Sequence, residues 1–355
     1  MSTTDNLLYG SVNWREVVAK NTRKTYFVIA TFLVVFFLLG IFVDTIWRYS
    51  EFANAYYSQY GRELPISKVF ISLATFQIPP FATMIISAAT IVWIFITFSM
   101  YDKIMLSGTD YKEITADNQE PLARRVYNVV EEMKVAAGMR YMPKVFLIEA
   151  NYMNAFASGY SEKSAMVAIS TKLANALTRD ELQAVMAHEL THIRNQDIKL
   201  NLFTMVLSNM MLIIMDALFY SALFSGNSNN RNSKNNNAAA FFIIIMILRY
   251  VLQIFTVFMM LFLSRTREYM ADAGAVELMR TNTPMANALL KIANDSQSVE
   301  AQQSYKHNKN ENLRRASYIF DPLSAGISGG DMSDLFSTHP SIEKRLASMG
   351  VKSQN

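Results

Sequence analysis

The chain has 355 residues, of which 51% are hydrophobic and only 17% charged, against roughly a quarter charged in ordinary soluble domains. The net charge of +4 is mild and no basic block is present, which argues against a nucleic-acid partner. There is no cysteine, so disulfides, thiolate catalysis and cysteine–zinc sites are excluded, and any zinc must be held by nitrogen and oxygen.

Four segments read as membrane spans. After an N-terminal segment, 1–25, the stretch Tyr26 to Val43 carries no charge and is long enough to cross a bilayer core of about 30 Å, giving a first span over 26–46. Asp44 and Trp47 follow it without a small-residue cleavage site, so it reads as an anchor and not a removed signal. A second uncharged run, Val69 to Tyr101, is interrupted by Pro79-Pro80, which places the second span at 81–100. Spans three and four are expected at 200–224 and 238–263; they contain Asp216 and Arg249, and a buried soluble hairpin is the alternative for them. Lys and Arg cluster before span one (Arg15, Lys20, Arg23, Lys24) and beyond spans two and four (Lys103, Arg124, Arg125, Arg265, Arg267). By the positive-inside rule the N-terminus, the 101–199 region and the 264–355 tail share the cytoplasmic side.

Between and after the spans lies a soluble part in two pieces. Glu120 to Gly138 has helical apolar spacing (Leu122, Val126, Val129, Val130, Met133) and ends at a glycine. Lys144 to Ile148, Met153 to Ala157 and Ala165 to Ile169 read as strands. Thr178-Arg-Asp-Glu181 is a capping-box pattern opening a helix, and no Gly or Pro follows until Gly226, so that helix is expected to run into span three. Span four is likewise expected to continue into the segment holding Glu268. Thr283-Pro284 opens another helix, 294–331 is a polar loop, and Ile342 to Met349 forms a terminal helix.

The chemistry is concentrated in His188-Glu-Leu-Thr-His192. Two imidazoles at i and i+4 stack on one helical face and can reach one tetrahedral metal ion. Glu189, one position on, is placed to take a proton from the attacking water. A catalytic zinc needs a third protein ligand and an open position. Of the four histidines, His307 falls in the polar loop and His339 is distant in sequence, whereas Glu268 stands on a helix leaving the membrane. Asp272, one turn later, suits a carboxylate that orients a ligating histidine. The competing reading pairs both acids with Arg265 or Arg267 on a solvated face.

These pieces together resemble the HtpX-type membrane peptidases of the M48 family, relatives of the Ste24 prenyl proteases. The matching stretches are Asn154-Ala-Phe-Ala157, Asp180-Glu-Leu182, His188 to His192 with Asn195 and Asp197, Ser264 to Asp272, and Thr338-His-Pro-Ser-Ile-Glu-Lys-Arg345, in order over roughly residues 20–350. The resemblance implies a mainly α membrane protein with an α+β gluzincin-like (zincin) metallopeptidase domain containing a small sheet. It also implies one Zn2+ held by His188, His192 and Glu268, with Glu189 as general base. Thr191 replaces a glycine usual in the family, with no consequence expected for the metal. Asn154, Ala155, Phe156 and Ala157 would form the edge strand on which substrate lies extended, the alternative being an ordinary strand. His339 would donate to the oxyanion, helped by Arg345, or else be a helix-start residue. Asp272 would stand behind a ligand, and Asn195 and Asp197 would stand behind the ligands or serve the structure alone.

The expected function is zinc-dependent endoproteolysis of misfolded or damaged membrane proteins and unfolded polypeptides at the cytoplasmic face of the bacterial inner membrane. The alternatives are a Ste24-like protease for lipidated C-terminal tails and a non-catalytic membrane scaffold; a retained Glu189 opposes the scaffold, which has no use for a base. One geometric expectation comes from counting along helices. At 1.5 Å per residue Asp216 lies about 36 Å beyond His192 and Arg249 about 29 Å before Glu268, so the two charges should face each other inside the bundle. The same counting puts the metal about 10 Å from the membrane surface.

Overall fold

The computed structural model describes residues 14–225, 236–262, 266–307, 317–320 and 339–351. The chain divides into two compact units, Tyr26–Met100 and the remainder.

Helix α1 (Trp14–Tyr60) is 47 residues long, about 70 Å, and so outruns the expected 26–46 span at both ends. Within the Tyr26–Met100 unit it is followed by the short α2 (Ile66–Ala74) and by α3 (Phe81–Leu106). Pro79 and Pro80 cannot extend α2, and α3 starts immediately after them. The buried Asp44 carboxylate accepts hydrogen bonds from the Ala82 N–H at 2.9 Å, the Thr83 N–H at 2.8 Å and the Thr83 hydroxyl at 2.8 Å. These are orphan donors of the first turn of α3, so one acid on α1 fixes where α3 begins. The helices touch closely at Gly40, where an added Cβ would lie 2.5 Å from Thr83 Cα.

In the second unit, strands β1 (Asp110–Ile114), β2 (Lys144–Glu149), β3 (Ala155–Ser158) and β4 (Met166–Ser170) form a sheet in the order β1-β2-β4-β3. The β2–β4 pair is parallel and the two outer pairs are antiparallel, so β3 is an edge strand. Strand β1 escaped the sequence reading because four of its five residues are exposed and it has no apolar run. The expected strand Met153 to Ala157 starts two residues later, at Ala155, and the expected Ala165 to Ile169 is shifted to Met166–Ser170. Helices α4 (Pro121–Ala136), α5 (Thr171–Ala176) and α6 (Arg179–Arg194) follow the chain order around this sheet. Helix α6 is the centre of the core: Leu182, Val185, Met186, Leu190 and Ile193 have no exposed surface. Its start is fixed as expected, with the Thr178 hydroxyl accepting from the Glu181 N–H at 3.3 Å and Glu181 accepting from the Thr178 N–H at 2.8 Å.

The end of α6 corrects one expectation. Instead of running into the third span, the helix stops at Arg194, Asn195 caps it, and Gln196 adopts the left-handed conformation at φ 57°. A new helix, α7 (Asp197–Ser225), starts there. The break needs neither Gly nor Pro, because one left-handed residue suffices to redirect the chain. Helix α8 spans Asn236–Phe262 and helix α9 spans Thr266–Met279. Residues 263–265 between them, including the matching Ser264 and Arg265, lie outside the described residues, as do residues 227–235 of the Asn-rich loop, much of the polar loop and Thr338. Helices α10 (Thr283–Ser296), α11 (Val299–His307) and α12 (Ile342–Ser348) complete the unit; α10 is preceded by Asn282 as its cap residue, not Thr283.

Among the described residues three helices are long and apolar enough to cross a membrane, over Ala19–Tyr49, Phe81–Leu106 and Asp197–Tyr220, with a shorter apolar stretch at Ile243–Thr256 on α8. Arg249 Nη2 lies 2.6 Å from Asp216 Oδ1, joining α8 to α7, and its guanidinium sits over the Phe219 ring at 4.9 Å. The two charges pair as expected, although the path from His192 to Asp216 is broken at Gln196 and is not the single helix that the counting assumes. The pair is not enclosed, however: the two side chains keep 37% and 47% of their surface.

Candidate metal centre

Helix α6 presents His188 and His192 one turn apart, with their Nε2 atoms 3.2 Å from each other. Glu268, in the first turn of α9, brings Oε2 to 3.6 Å from His188 Nε2 and Oε1 to 3.7 Å from His192 Nε2. Two ligands held about 2.0–2.1 Å from a tetrahedral ion stand about 3.3 Å apart, so all three spacings suit one shared cation. All three residues are buried, and their ligand atoms lie within 4.8 Å of one another. A buried carboxylate against two imidazoles whose Nε2 atoms face each other is costly without an ion to accept their lone pairs. The donor set is two nitrogens and an oxygen, which is the chemistry of a zinc site.

Two contacts let α9 come this close to α6. Gly274 lies against Thr191, and a Cβ there would sit 2.5 Å from both Thr191 Cγ2 and Oγ1. Thr191 is thus matched by a glycine on the facing helix, which spacing along α6 alone does not show. On the other flank Arg267 donates to Asn201 Oδ1, tying α9 to α7.

Each imidazole has a carboxylate behind it. Asp272 Oδ1 stands 3.0 Å from His188 Nδ1, and Asp197 Oδ2 stands 2.9 Å from His192 Nδ1. Such contacts leave Nε2 free for the metal and fix the ring's orientation. Asp272 therefore lies where spacing placed it. Asn195, for which a structural part is the alternative, caps α6, and its backbone carbonyl accepts from Asn21 Nδ2 at 3.0 Å; Asp197 occupies the position behind His192. The left-handed turn at Gln196 is what swings Asp197 back toward the helix it follows. Asp272 is itself gripped by Arg345, whose Nε and Nη2 donate to Oδ2 at 2.8 Å and Oδ1 at 2.6 Å. Neither residue has exposed surface.

The electrostatics follow from this nesting. Burial alone would favour neutral Asp272, but Arg345 outweighs it and holds the carboxyl below its ordinary range. Burial also disfavours charge on the histidines. Asp272 and Glu268 nevertheless raise His188, and Asp197 pushes His192 up to about 9. Glu268 is held well below the usual carboxylate range, because His339 and the two other histidines outweigh its burial. Glu189 differs. It is 1% exposed, neither carboxylate oxygen has a hydrogen-bond partner among the described residues, and burial pushes its pKa up. A carboxylate poised that way can accept a proton and hold it.

His339 is 4% exposed, with Nε2 3.8 Å from Glu268 Oε1, so the structure brings it beside the ligands although it follows them by many residues. Arg345 Nη1 lies 3.8 Å from Glu268 Oε2, but Nη1 itself donates to the Ile319 carbonyl at 2.5 Å, and Nε and Nη2 are committed to Asp272. It is a positioning residue. Asn154, Ala155, Phe156 and Ala157 lie on or next to the edge strand β3, which packs against α6. His307 ends α11.

The family profile described as "Peptidase family M48" matches residues 120–350. A Helicobacter pylori (strain Shi470) protein named "Protease HtpX homolog" is 36% identical over 95% of this chain and 98% of its own length. Proteins of the same name from Listeria innocua and Bacteroides fragilis are 34% and 32% identical, covering 93% and 82% of this chain and 97% and 84% of their own lengths. A crystal structure of Ste24p from S. mikatae covers 86% of this chain and 66% of that one, at 19% identity and a TM-score of 0.46.

Proposed function

The chain belongs to peptidase family M48, and it is a membrane metalloprotease of the HtpX type; from that premise we propose that it is a zinc-dependent endopeptidase whose ligands are His188, His192 and Glu268. The single observation that carries the zinc reading is the set of three mutual spacings, 3.2, 3.6 and 3.7 Å, between Nε2 and carboxylate atoms on two different helices. Zinc in such a site acidifies water and polarises a carbonyl when bound.

The chain's own residues do the rest. Glu189, buried and unpaired, takes the proton of the attacking water and passes it to the leaving amine. His339 donates a hydrogen bond to the developing oxyanion, which an environment without water makes effective. Asp197 and Asp272 keep the imidazoles in the tautomer that leaves Nε2 open, and Arg345 keeps Asp272 charged. β3 offers an edge to an extended peptide.

The substrates we infer are misfolded or damaged membrane proteins and unfolded chains, cut at the cytoplasmic face of the inner membrane. Support comes from the Lys and Arg distribution around the spans and from the short chain separation between His192 and the apolar part of α7. The test is Glu189→Gln with zinc analysis in detergent. Retained metal with cleavage of a misfolded membrane protein lost supports the mechanism, whereas unchanged cleavage refutes it. A prenylated peptide cleaved in preference to the misfolded protein would move the reading to lipidated tails.

A further inference from the structure

Residues 195–197 form the turn that carries Asp197 back to His192, and that turn needs outside support. Gln196 is left-handed at φ 57°, a conformation that a side chain disfavours. The Asn195 N–H donates to the Thr191 carbonyl at 2.9 Å and the Gln196 N–H to the Ile193 carbonyl at 3.0 Å. Both bonds point back along α6. They leave the Asn195 carbonyl, which is buried at the helix end, to find a donor elsewhere.

That donor comes from 174 residues earlier in the chain: Asn21 Nδ2 reaches the Asn195 carbonyl at 3.0 Å. Among the described residues, Asn21 is the single group from outside α6 and α7 that hydrogen-bonds residues 195–197. It lies on the buried side of α1, 5% exposed, in a stretch where Lys20 and Arg23 are exposed. A buried amide costs free energy unless its hydrogen bonds are met, so its place here calls for a partner, and the turn is that partner. Thr25, one turn on and fully buried, cannot substitute, because its hydroxyl donates to the Asn21 carbonyl at 2.9 Å within α1.

We propose that Asn21 is a positioning residue of the metal site: it holds the 195–196 peptide, that peptide holds Asp197, and Asp197 orients His192. This role presupposes the zinc reading of the site and brings α1 into it. Without the Asn21 donor the buried Asn195 carbonyl is unpaired. Rotating the 195–196 peptide toward another donor relieves the loss, but it takes Gln196 out of the left-handed region. Asp197 then leaves its place 2.9 Å from His192 Nδ1, and an imidazole without a carboxylate behind it holds metal less well. Helix α1 runs unbroken from Asn21 into the apolar stretch that opens at Tyr26. The membrane anchor is therefore also a support of the metal ligands.

The test is zinc affinity, read by chelator competition on the full chain in detergent, so it does not depend on turnover. Four proteins form a cycle: the parent, Asn21→Leu, Asp197→Ala and the double variant. Leucine keeps much of the amide's volume and removes the donor. Asp197→Ala should weaken zinc about 10- to 100-fold. Asn21→Leu should weaken it about fivefold or more, the worth of one hydrogen bond, and by no more than Asp197→Ala does. In the Asp197→Ala background Asn21→Leu should cause no further loss, because its effect passes through that carboxylate. Parent-like zinc binding by Asn21→Leu overturns the proposal. So do losses that add in the double variant, which would mean that Asn21 merely stabilises the fold. If Asn21→Leu does not assemble, Asn21→Ala, which removes the donor without bulk, takes its place in the cycle with the same outcomes. A parent that binds no zinc removes the metal reading itself, whereas a zinc-binding parent beside an unaffected Asn21→Leu removes this inference alone.

Discussion

Gly274→Ala puts one methyl group between the two helices that carry the metal ligands. The new Cβ would meet Thr191 Cγ2 and Oγ1 at 2.5 Å, against about 3.5–4.0 Å for relaxed carbon contacts. Thr191 is fully buried, and its hydroxyl is bonded to the Ala187 carbonyl at 2.8 Å, so its rotamer has nowhere to go. Helix α9 must therefore retreat by about 1 Å, and Glu268, six positions earlier on the same rigid element, retreats with it. The overpacking costs about 1–3 kcal/mol of stability. The lost ligand geometry should weaken zinc about 10- to 100-fold, the range seen when support around a metal site is disturbed. The assay is chelator competition for zinc in detergent, run beside thermal unfolding. Thr191→Ala removes both offending γ atoms, so the double variant should recover at least half of the affinity lost, with a coupling of about 0.5–3 kcal/mol between the sites. If Gly274→Ala binds zinc like the parent, or if the two losses merely add, the close α6–α9 contact is not what sets the ligand spacing.

Three other outcomes are expected. The Glu181 carboxyl is held below its ordinary pKa, because Lys291 and the Thr178 N–H outweigh its burial. A depressed folded pKa stabilises above the unfolded value, about 4.3, and the contribution disappears as pH falls through the folded one; the melting-point gap between parent and Glu181→Gln should be open at pH 7 and close below about pH 4. Arg345→Met leaves Asp272 buried without its cation and should cost about 3–5 kcal/mol in chemical denaturation, with an unaltered midpoint contradicting the buried pair. Asp216→Arg or Arg249→Asp alone should lower the yield of assembled protein in membranes, and the two together should restore part of it; failure of rescue would mean that their 2.6 Å contact does not join α7 to α8 in the bilayer.

Local signals carried the parts of the site that share one helix. The i, i+4 histidines and the Thr178 capping box are properties of α6 alone, and both stand where the residue pattern put them. Helical counting also paired Asp216 with Arg249, although the break at Gln196 means that the path from His192 to Asp216 is not the single ruler the counting assumed. What stayed hidden depends on contacts between distant segments. The left-handed Gln196 has no compositional mark, so a helix break was missed, and with it the reason Asp197 and not Asn195 supports His192. Gly274 reads as a weak helix residue until Thr191 faces it. Strand β1 lacks an apolar face, and Ser317–Phe320 is too short to show a period; its partners Asn154 and Arg345 are far away in sequence. The exposure of the Asp216–Arg249 pair was equally illegible, since counting fixes depth along a helix but not its rotation.

X-ray absorption at the zinc edge of the metal-loaded chain reads the ligand set directly. One zinc per chain with two imidazole nitrogens at about 2.0–2.1 Å and carboxylate oxygen at about 2.0–2.2 Å is expected, the histidine signal persisting and the carboxylate lost in Glu268→Ala. A spectrum unchanged by Glu268→Ala, or one without a pair of imidazoles, would contradict the shared metal site on α6 and α9.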